Sequence, residues 1–393
     1  MSKSNGFNPI EKKAAFSISI LIAIRMYGLF LIMPVFSVFA KTLPYSTPML
    51  IAIALGVYGL TQAILQIPLG LASDFYGRKK VLTIGLLVFL SGSVIAALST
   101  DIYGIIVGRA IQGMGAIAST GMALIADVSR PEQRTKMMAF VGMSIGFSFI
   151  LAFITGPILS GLFNVSGLFW ITAILTVLAL IQLHVFIEEP KADTKIKKSF
   201  SFAEFMVTFK DMQLMSLNIS VFVLHAVMTA VFVVLPLILV EQLNFAAPMH
   251  WKLYLPVLMA SIFIFVPMII MHEKVKKYFL FVSCALIGLS LSQLAMAIFT
   301  LNIIIIALIL VIFFAFFNFL EAAMPAMLSR MAGEKYRGAA MGAYSTSQFI
   351  GAFAGSIVAG LLMQAGYSQV FYGTAMMVLF SVLIVLLFSH SKN

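Results

Sequence analysis

Gly70-Leu71-Ala72-Ser73-Asp74-Phe75-Tyr76-Gly77-Arg78-Lys79-Lys80 decides the fold because of what lies on either side of it. From Ile51 to Leu71 the only polar side chains are Tyr58, Thr61, Gln62 and Gln66, and from Val81 to Leu98 the chain is apolar again apart from hydroxyls. Each flank can cross a hydrocarbon core of about 30 Å, which takes about 20 helical residues. The quoted stretch reads as a tie of eleven residues between two membrane-crossing helices. Cations anchor helix ends on the cytoplasmic side of a membrane. That need alone asks neither for Asp74 ahead of Gly77-Arg78 nor for Gly70 one turn earlier.

The whole composition agrees with a membrane protein. The chain has 393 residues, 62% of them hydrophobic and only 10% charged, whereas soluble domains carry about 25% charged residues. The net charge of +11 could suggest a nucleic-acid partner. The cations sit in short polar loops, however, which makes them topology signals and lipid-headgroup contacts. A single cysteine, Cys284, excludes an intrachain disulfide and a cysteine-based metal site.

Twelve apolar stretches are long enough to span: 15–40, 50–73, 80–98, 102–126, 137–162, 167–187, 213–240, 252–271, 278–299, 301–327, 338–364 and 368–389. Counting Lys80 and Lys252, the first residues of their spans, with the loops they border, 21 of the 25 Lys and Arg fall in the termini and even-numbered loops, and 2, Lys41 and Lys252, in the odd-numbered loops. The positive-inside rule then predicts that both termini are cytoplasmic. The expected organisation is a cytoplasmic N-terminus (1–14), a six-helix bundle (15–187), a cytoplasmic linker (188–212), a second six-helix bundle (213–389) and a tail (390–393). The linker begins with the polar run Glu188–Lys198, and Phe200, Phe202 and Phe205 beyond it suit either an amphipathic surface helix or an unstructured tie. The two halves resemble each other. Asp127-Val128-Ser129-Arg130 through Arg134 follows span 4, and Leu328-Ser329-Arg330 through Arg337 follows span 10. After span 8, His272-Glu273-Lys274-Val275-Lys276-Lys277 keeps the cations of the first-half loop without its Gly–Asp–Gly frame.

Charged groups at membrane depth are costly and mark function or a built-in partner. Arg25 in span 1, Arg109 in span 4, His225 in span 7 and Glu321 in span 10 are such groups. Arg109-Ala110-Ile111-Gln112-Gly113 suits either a proton path or a structural Arg bonded to backbone carbonyls. Glu321 is the one acid well inside a span of the second half, which makes it a candidate proton carrier with His225 beside it. Span 5 carries Gly146, Ala152, Gly156, Pro157 and Gly161, small residues that let helices approach closely, with a proline that removes one backbone bond.

Together these motifs resemble the major facilitator superfamily of secondary transporters. The stretch Gly70–Lys80 matches its signature loop, Arg109–Gly113 a second motif, and Gly146–Gly161 the antiporter motif of drug–proton exchangers, with Ala152 and Ser160 in place of two glycines. Within that superfamily the chain is similar to the twelve-span drug–proton antiporters of the bacterial YajR type. The resemblance implies an all-α integral membrane protein with twelve helices in two pseudo-symmetric six-helix bundles, working by alternating access. It also implies that Gly70, Asp74, Gly77, Arg78, Lys79 and Asp127 form a conformational switch. Arg78 would pair with Asp127, and Asp74 would rest near the start of span 11 when the cytoplasmic side is closed.

The function expected is proton-coupled efflux of small, hydrophobic or drug-like molecules across a bacterial inner membrane by a monomer, with protons, substrate and lipids as its partners and no nucleic acid. A proton-coupled metabolite importer and a transporter-like sensor remain alternatives. An enzyme is not expected: His272-Glu273 hints at a zinc protease motif, but position 276 is Lys. No metal or cofactor is expected beyond the proton gradient, and no Gly-x-x-x-x-Gly-Lys-Ser/Thr loop for ATP is present.

The charge asymmetry carries its own test. Cysteines placed at Lys79, Lys197 or Arg337 are expected to be shielded from an impermeant thiol reagent in intact cells, and one at Lys252 to react; external labelling at Lys79 would overturn the orientation.

Overall fold

The computed structural model describes residues 7–130, 133–187, 208, 210–299 and 302–389, and every regular element in them is helical. The first half holds α1 (Pro9–Leu31), a short α2 (Phe36–Lys41), α3 (Pro48–Tyr76), α4 (Arg78–Leu98), α5 (Ile102–Met114), α6 (Ala118–Val128) and α7 (Arg134–Phe186). The second holds α8 (Met212–Glu241), α9 (Trp251–Val275), α10 (Tyr278–Ile298), α11 (Ile303–Met331), α12 (Gly333–Leu362) and α13 (Tyr367–Ser389). Among the described residues, eleven helical stretches are long and apolar enough to cross a membrane, and one of them, Lys136–Phe186, is 51 residues long. At a rise of about 1.5 Å per residue that stretch is more than two bilayer cores long. Asn164 breaks it with φ 57° and ψ 179°, so it supplies the fifth and sixth spans and the total is twelve.

Five helix starts carry side-chain caps. Asn8, Thr47, Asp101, Asp211 and Asn302 each accept a hydrogen bond from a backbone N–H of the following turn, which satisfies donors that hydrocarbon or a tight loop would leave bare. Three expectations change at this level. The first span is not continuous to residue 40: α1 ends at Leu31, ahead of Pro34, which cannot donate to a helical ladder, and α2 restarts at Phe36. The fourth span is interrupted between Met114 and Ala118. The eleven-residue tie shrinks to the single residue Gly77, whose φ of 94° lies where a side chain is strained. Asp74 therefore sits in the last turn of α3, and Arg78 opens α4. The amphipathic segment expected near residues 200–205 lies outside the described residues.

Within the first half α1 packs on α7, α3 on α5, and α4 on α5 and α7; within the second, α8 packs on α12 and α13, α10 on α11 and α13, and α9 on α11. Two contacts join the halves most visibly: α3 with α12, and α7 with α9. These are span 2 with span 11 and span 5 with span 8, pairs that exchange when the halves are swapped, so the twofold pseudo-symmetry is visible in the packing. Lipid gives apolar helices little reason to associate, so close van der Waals packing has to do it. A Cβ on Gly59 would stand 2.8 Å from the Phe349 carbonyl oxygen, and one on Gly360 2.7 Å from Ala52 Cβ. Further along, Gln66 Nε2 donates to Thr346 Oγ1 at 2.8 Å. Beyond that point, at Gly342 and Gly338, a Cβ would meet nothing within 4 Å.

The halves are joined at the end away from Gly77, then. Ser37 Oγ donates to the Phe232 carbonyl at 3.1 Å, Lys41 Nζ lies 2.6 Å from Glu241 Oε1, and buried His250 lies 3.4 Å from the Pro34 carbonyl oxygen. Phe153 packs its ring against Phe232 and Tyr254, at 4.8 and 5.7 Å between centroids. At the opposite end, open space borders the first turns of α12.

Because α3 and α12 touch where Gly59 is, Gly59→Val is expected to destabilise this arrangement by about 1–3 kcal/mol, the usual cost of overpacking. A lower melting temperature of the purified variant, with α3–α12 crosslinking reduced, is the readout.

Candidate functional site

The signature stretch folds into a fork built on Arg78. Its Nε donates to Asp127 Oδ2 at 2.8 Å, while Nη1 meets the Asp74 carboxylate and Ser73 Oγ. Ser73 in turn donates to the Gly70 carbonyl. A Cβ on Gly70 would stand 3.0 Å from Ser119 Oγ, so the glycine lets α3 and α6 approach. Lys79 Nζ reaches the carbonyls of Ile187 and His184 at 2.9 and 3.3 Å, closing the last turn of α7, where carbonyls lack helical donors. One loop thus ties α3, α4, α6 and α7 together. The Arg78–Asp127 pair is as expected. Asp74 faces Arg78, and in this conformation the space beside the start of α12 is open.

Both buried guanidiniums of the first half work as stitches. Arg25 is 4% exposed; its Nη2 donates to Tyr58 Oη at 2.8 Å, Gln62 Oε1 at 3.1 Å and the Gly115 carbonyl at 3.3 Å. The interruption between α5 and α6 is what offers that last carbonyl. Arg109, 2% exposed, donates to Gln112 Oε1 at 3.0 Å and to the carbonyls of Ala54 and Leu55. Its guanidinium lies 4.9 Å from the Tyr58 ring centroid. Gln112 passes the chain on to Ser93 at 2.8 Å. Among the described residues neither Arg meets a carboxylate, and neither is joined to Glu321.

In the second half the structure brings His225 and Glu321 together, with a third residue between them. His225 on α8 lies 3.6 Å from Glu321 Oε2 on α11. Gln348 Nε2 on α12 lies 2.7 Å from His225 Nε2 and 3.4 Å from Glu321 Oε1. His225 Nδ1 faces the Val221 carbonyl at 3.2 Å, and Phe317 flanks the ring at 5.9 Å between centroids. Glu321 is 40% exposed at membrane depth, yet its Oε2 is buried without a hydrogen-bond partner, as is the Tyr344 hydroxyl.

The span-5 motif divides into two parts. Gly156 abuts the Leu31 carbonyl of α1, and a Cβ on Gly161 would stand 2.8 Å from Pro248 Cβ, across the junction of the halves. Ala152 is fully buried, and Pro157 lies inside the helix without ending it. Gly146 has open space where a side chain would project, so its smallness is not used for packing in this conformation.

Sequence reasoning passed over two ion pairs at the signature-loop end. Glu11, 2% exposed, accepts from the Asn8 backbone N–H and from Arg130 Nε and Nη2, each at 2.9 Å. It anchors the start of α1 to the segment just after Asp127. In the second half, Arg330 donates to both carboxylate oxygens of Glu273 at 2.6 and 3.0 Å. Arg330 stands where the repeat places Arg130, and Glu273 stands in the loop equivalent to Gly70–Lys80. The repeat alignment was the signal available. It marks the Arg positions but not their partners, which come from different helices in the two halves.

The Major Facilitator Superfamily model matches residues 18–320 and 274–393. The chain is 38% identical over 359 residues to the inner membrane transport protein YajR of Escherichia coli, covering 90% of this chain and 78% of the relative. It is 34% identical over 363 residues to an uncharacterized transporter of Buchnera aphidicola, with 90% of each covered. Among solved structures, a bacterial homolog of the human lysosomal transporter Spinster, in an inward-facing and occupied conformation, superposes with a TM-score of 0.78 at 13% identity over 98% of both chains. The chain belongs to the Major Facilitator Superfamily: it is a multi-pass membrane transporter, not an enzyme.

Arg78 satisfies two carboxylates only because its planar fork donates in two directions, which a Lys ammonium does not reproduce. With Asp127 40% exposed and screened by solvent, Arg78→Lys is expected to cost about 1 kcal/mol, and Arg78→Ala more because two carboxylates then face each other. Thermal melts of the purified variants check this; melts equal to wild type for both would show that the fork carries no stability.

Proposed function

We propose that this member of the superfamily exports small, apolar or drug-like molecules from a bacterial cytoplasm in exchange for protons, as a monomer in the inner membrane with both termini cytoplasmic. The observation that carries the reading is the Glu321 carboxylate, half-exposed at membrane depth with His225 at 3.6 Å and one oxygen unpartnered. Among the described residues the two intramembrane guanidiniums are held by carbonyls, hydroxyls or amides, with Arg25 Nε left without a partner, and a carboxylate at that depth with no cation beside it is a group suited to exchange a proton or meet a substrate. The rings of Phe149, Phe153, Phe232 and Phe314 pack on one another where the halves meet, a buried aromatic cluster at the joined end whose apolar side chains would be uncovered only if the halves parted there. Joined at the far end and parted at the signature-loop end, the chain is read as facing the cytoplasm. Closing would bring Asp74 to the first turn of α12, where helix N–H groups favour a carboxylate. Membership of a secondary-transporter superfamily, and a chain without a phosphate-cradling loop, support an ion gradient as the energy source. Similarity to an inner membrane transport protein of Escherichia coli supports the inner membrane.

Glu321→Gln imitates the protonated carboxyl. In proteoliposomes it is expected to abolish uphill transport under an imposed pH gradient, so that uphill flux falls steeply relative to substrate counterflow. A variant that still pumps uphill overturns Glu321 as the coupling group. Uptake instead of export in inside-out and right-side-out vesicles overturns the direction.

A further inference from the structure

The His225–Glu321 site contains an atom whose placement matters more than either charge. His225 Nδ1 lies 3.2 Å from the Val221 carbonyl oxygen, a group that can only accept. His225 Nε2 lies 2.7 Å from Gln348 Nε2, an amide nitrogen that can only donate. In this arrangement the ring presents Nε2 to a donor. The same amide nitrogen leans toward Glu321 Oε1 at 3.4 Å, so the Gln348 amide stands between the two proton-accepting groups.

A proton arriving from water at His225 Nε2 turns that acceptor into a donor. Two donors then face each other at hydrogen-bond distance, and the Gln348 amide has to leave or turn its oxygen to the ring. Glu321 Oε2, already at 3.6 Å and without a hydrogen-bond partner, is the acceptor that the new N–H would take. The local exchange is an amide contact from α12 for a charged pair between α8 and α11.

Gln348 sits on the turn of α12 that holds the halves together. Two residues before it, Thr346 accepts from Gln66 of α3. One residue after it, the Phe349 carbonyl receives the close approach of Gly59, and the Phe349 side chain packs on the cluster of Leu29, Tyr58 and Phe89 in the first half. We propose that Gln348 transmits the protonation state of His225 and Glu321 to the α3–α12 junction, so that loading the site with a proton loosens or resets the contact about which the halves rock. The inference rests on reading that pair as a protonation site, and adds the residue and the helix through which the site acts.

The titratable groups around it are His225 from α8, Glu321 from α11 and the Tyr344 phenol from α12. From α3, Gln62 and Gln66 are neutral, and Gln66 is the one bonded to α12. From α13, Ser381 lies against Ser220 of α8 at 3.1 Å. Arg25 and Arg109 are engaged within the first half.

The test uses the full chain with Cys284 replaced by Ala, reconstituted in lipid nanodiscs, and spin labels at Lys80→Cys and Lys276→Cys, one in each half at the signature-loop end. The distance distribution is recorded against pH. The wild-type chain is expected to shift between shorter and longer separations as pH changes. Gln348→Leu is expected to flatten that response by about tenfold in the equilibrium between the two populations, the effect of one charge-assisted hydrogen bond. In a His225→Asn background the response is already lost, and Gln348→Leu adds nothing, as two residues acting through one contact require. Gln348→Met repeats the measurement if the Leu variant does not fold. A Gln348 variant that follows the wild-type pH response overturns the inference, and so does a wild-type chain whose halves ignore pH. A wild-type chain that responds through Gln348 but moves no protons with its substrate overturns the transport reading and leaves the inference standing.

Discussion

Hydrocarbon offers no hydrogen bonds, so every polar group carried into it must find its partner inside the protein. Much of this structure is the working-out of that constraint. Two guanidiniums enter the first half, and the helices around them are arranged to answer: α3 turns carbonyls and Tyr58 toward them, and the interruption at Gly115 frees one carbonyl more. Smaller groups follow the same rule. Thr61 donates to the Ala110 carbonyl at 2.9 Å, and Thr374 to Gln293 at 3.0 Å. The satisfaction is incomplete: Arg25 Nε, Gln62 Nε2, both side-chain polar atoms of Asn218 and Glu321 Oε2 are among the buried atoms without a partner, and Glu321 is the carboxylate among them.

The division of labour between the halves follows. The first half is cross-linked at two levels: Arg25 and Arg109 at membrane depth, Arg78 and Glu11 at the signature-loop end. In the second half, among the described residues, the group at comparable depth is the His225–Glu321–Gln348 cluster, whose members hold one another through long or single contacts. A body that rocks needs one part firm enough to be moved as a unit and one part able to change its internal contacts when a small ligand arrives. Stitching by groups that stay charged suits the first task, and a neutral-or-charged imidazole suits the second.

How much of this was legible depends on whether the determinant is local. Span count, the place of the signature loop and the depth of Glu321 and His225 follow from runs of apolar residues and the charges set within them, both of which can be read along the chain. Gly77 was read as part of a loop, and only the backbone shows it to be the whole loop, since α3 and α4 compete for the flanking residues and both win. The stop at Pro34 and the interruption before Ala118 were hidden because hydropathy is blind to the backbone angle. Glu11 and Arg130 are 119 residues apart, and nothing near either residue announces the other. The same holds for Glu273 with Arg330. Charge in a loop can be seen from sequence, whereas its partner is chosen by tertiary packing.

The signature loop and the His225–Glu321–Gln348 cluster lie on different halves, yet they are connected through two helices in contact. α3 carries Gly59 and Gln66 in its body and Asp74 in its last turn; α12 carries Phe349 and Thr346 against those residues and Gln348 against His225. Under the proposed rocking, a tilt of α12 about the Gly59–Phe349 contact would move the first turns of α12 relative to Asp74, while Gln348, one residue from that contact, joins the pivot to the imidazole. Close approach at a glycine is what makes this a pivot, because backbone against backbone leaves little side-chain slack to absorb the motion. Under the proposed function, coupling between a proton and a gate then needs no long chain of intermediates. It needs one rigid helix that touches both, and α12 is placed to be that helix.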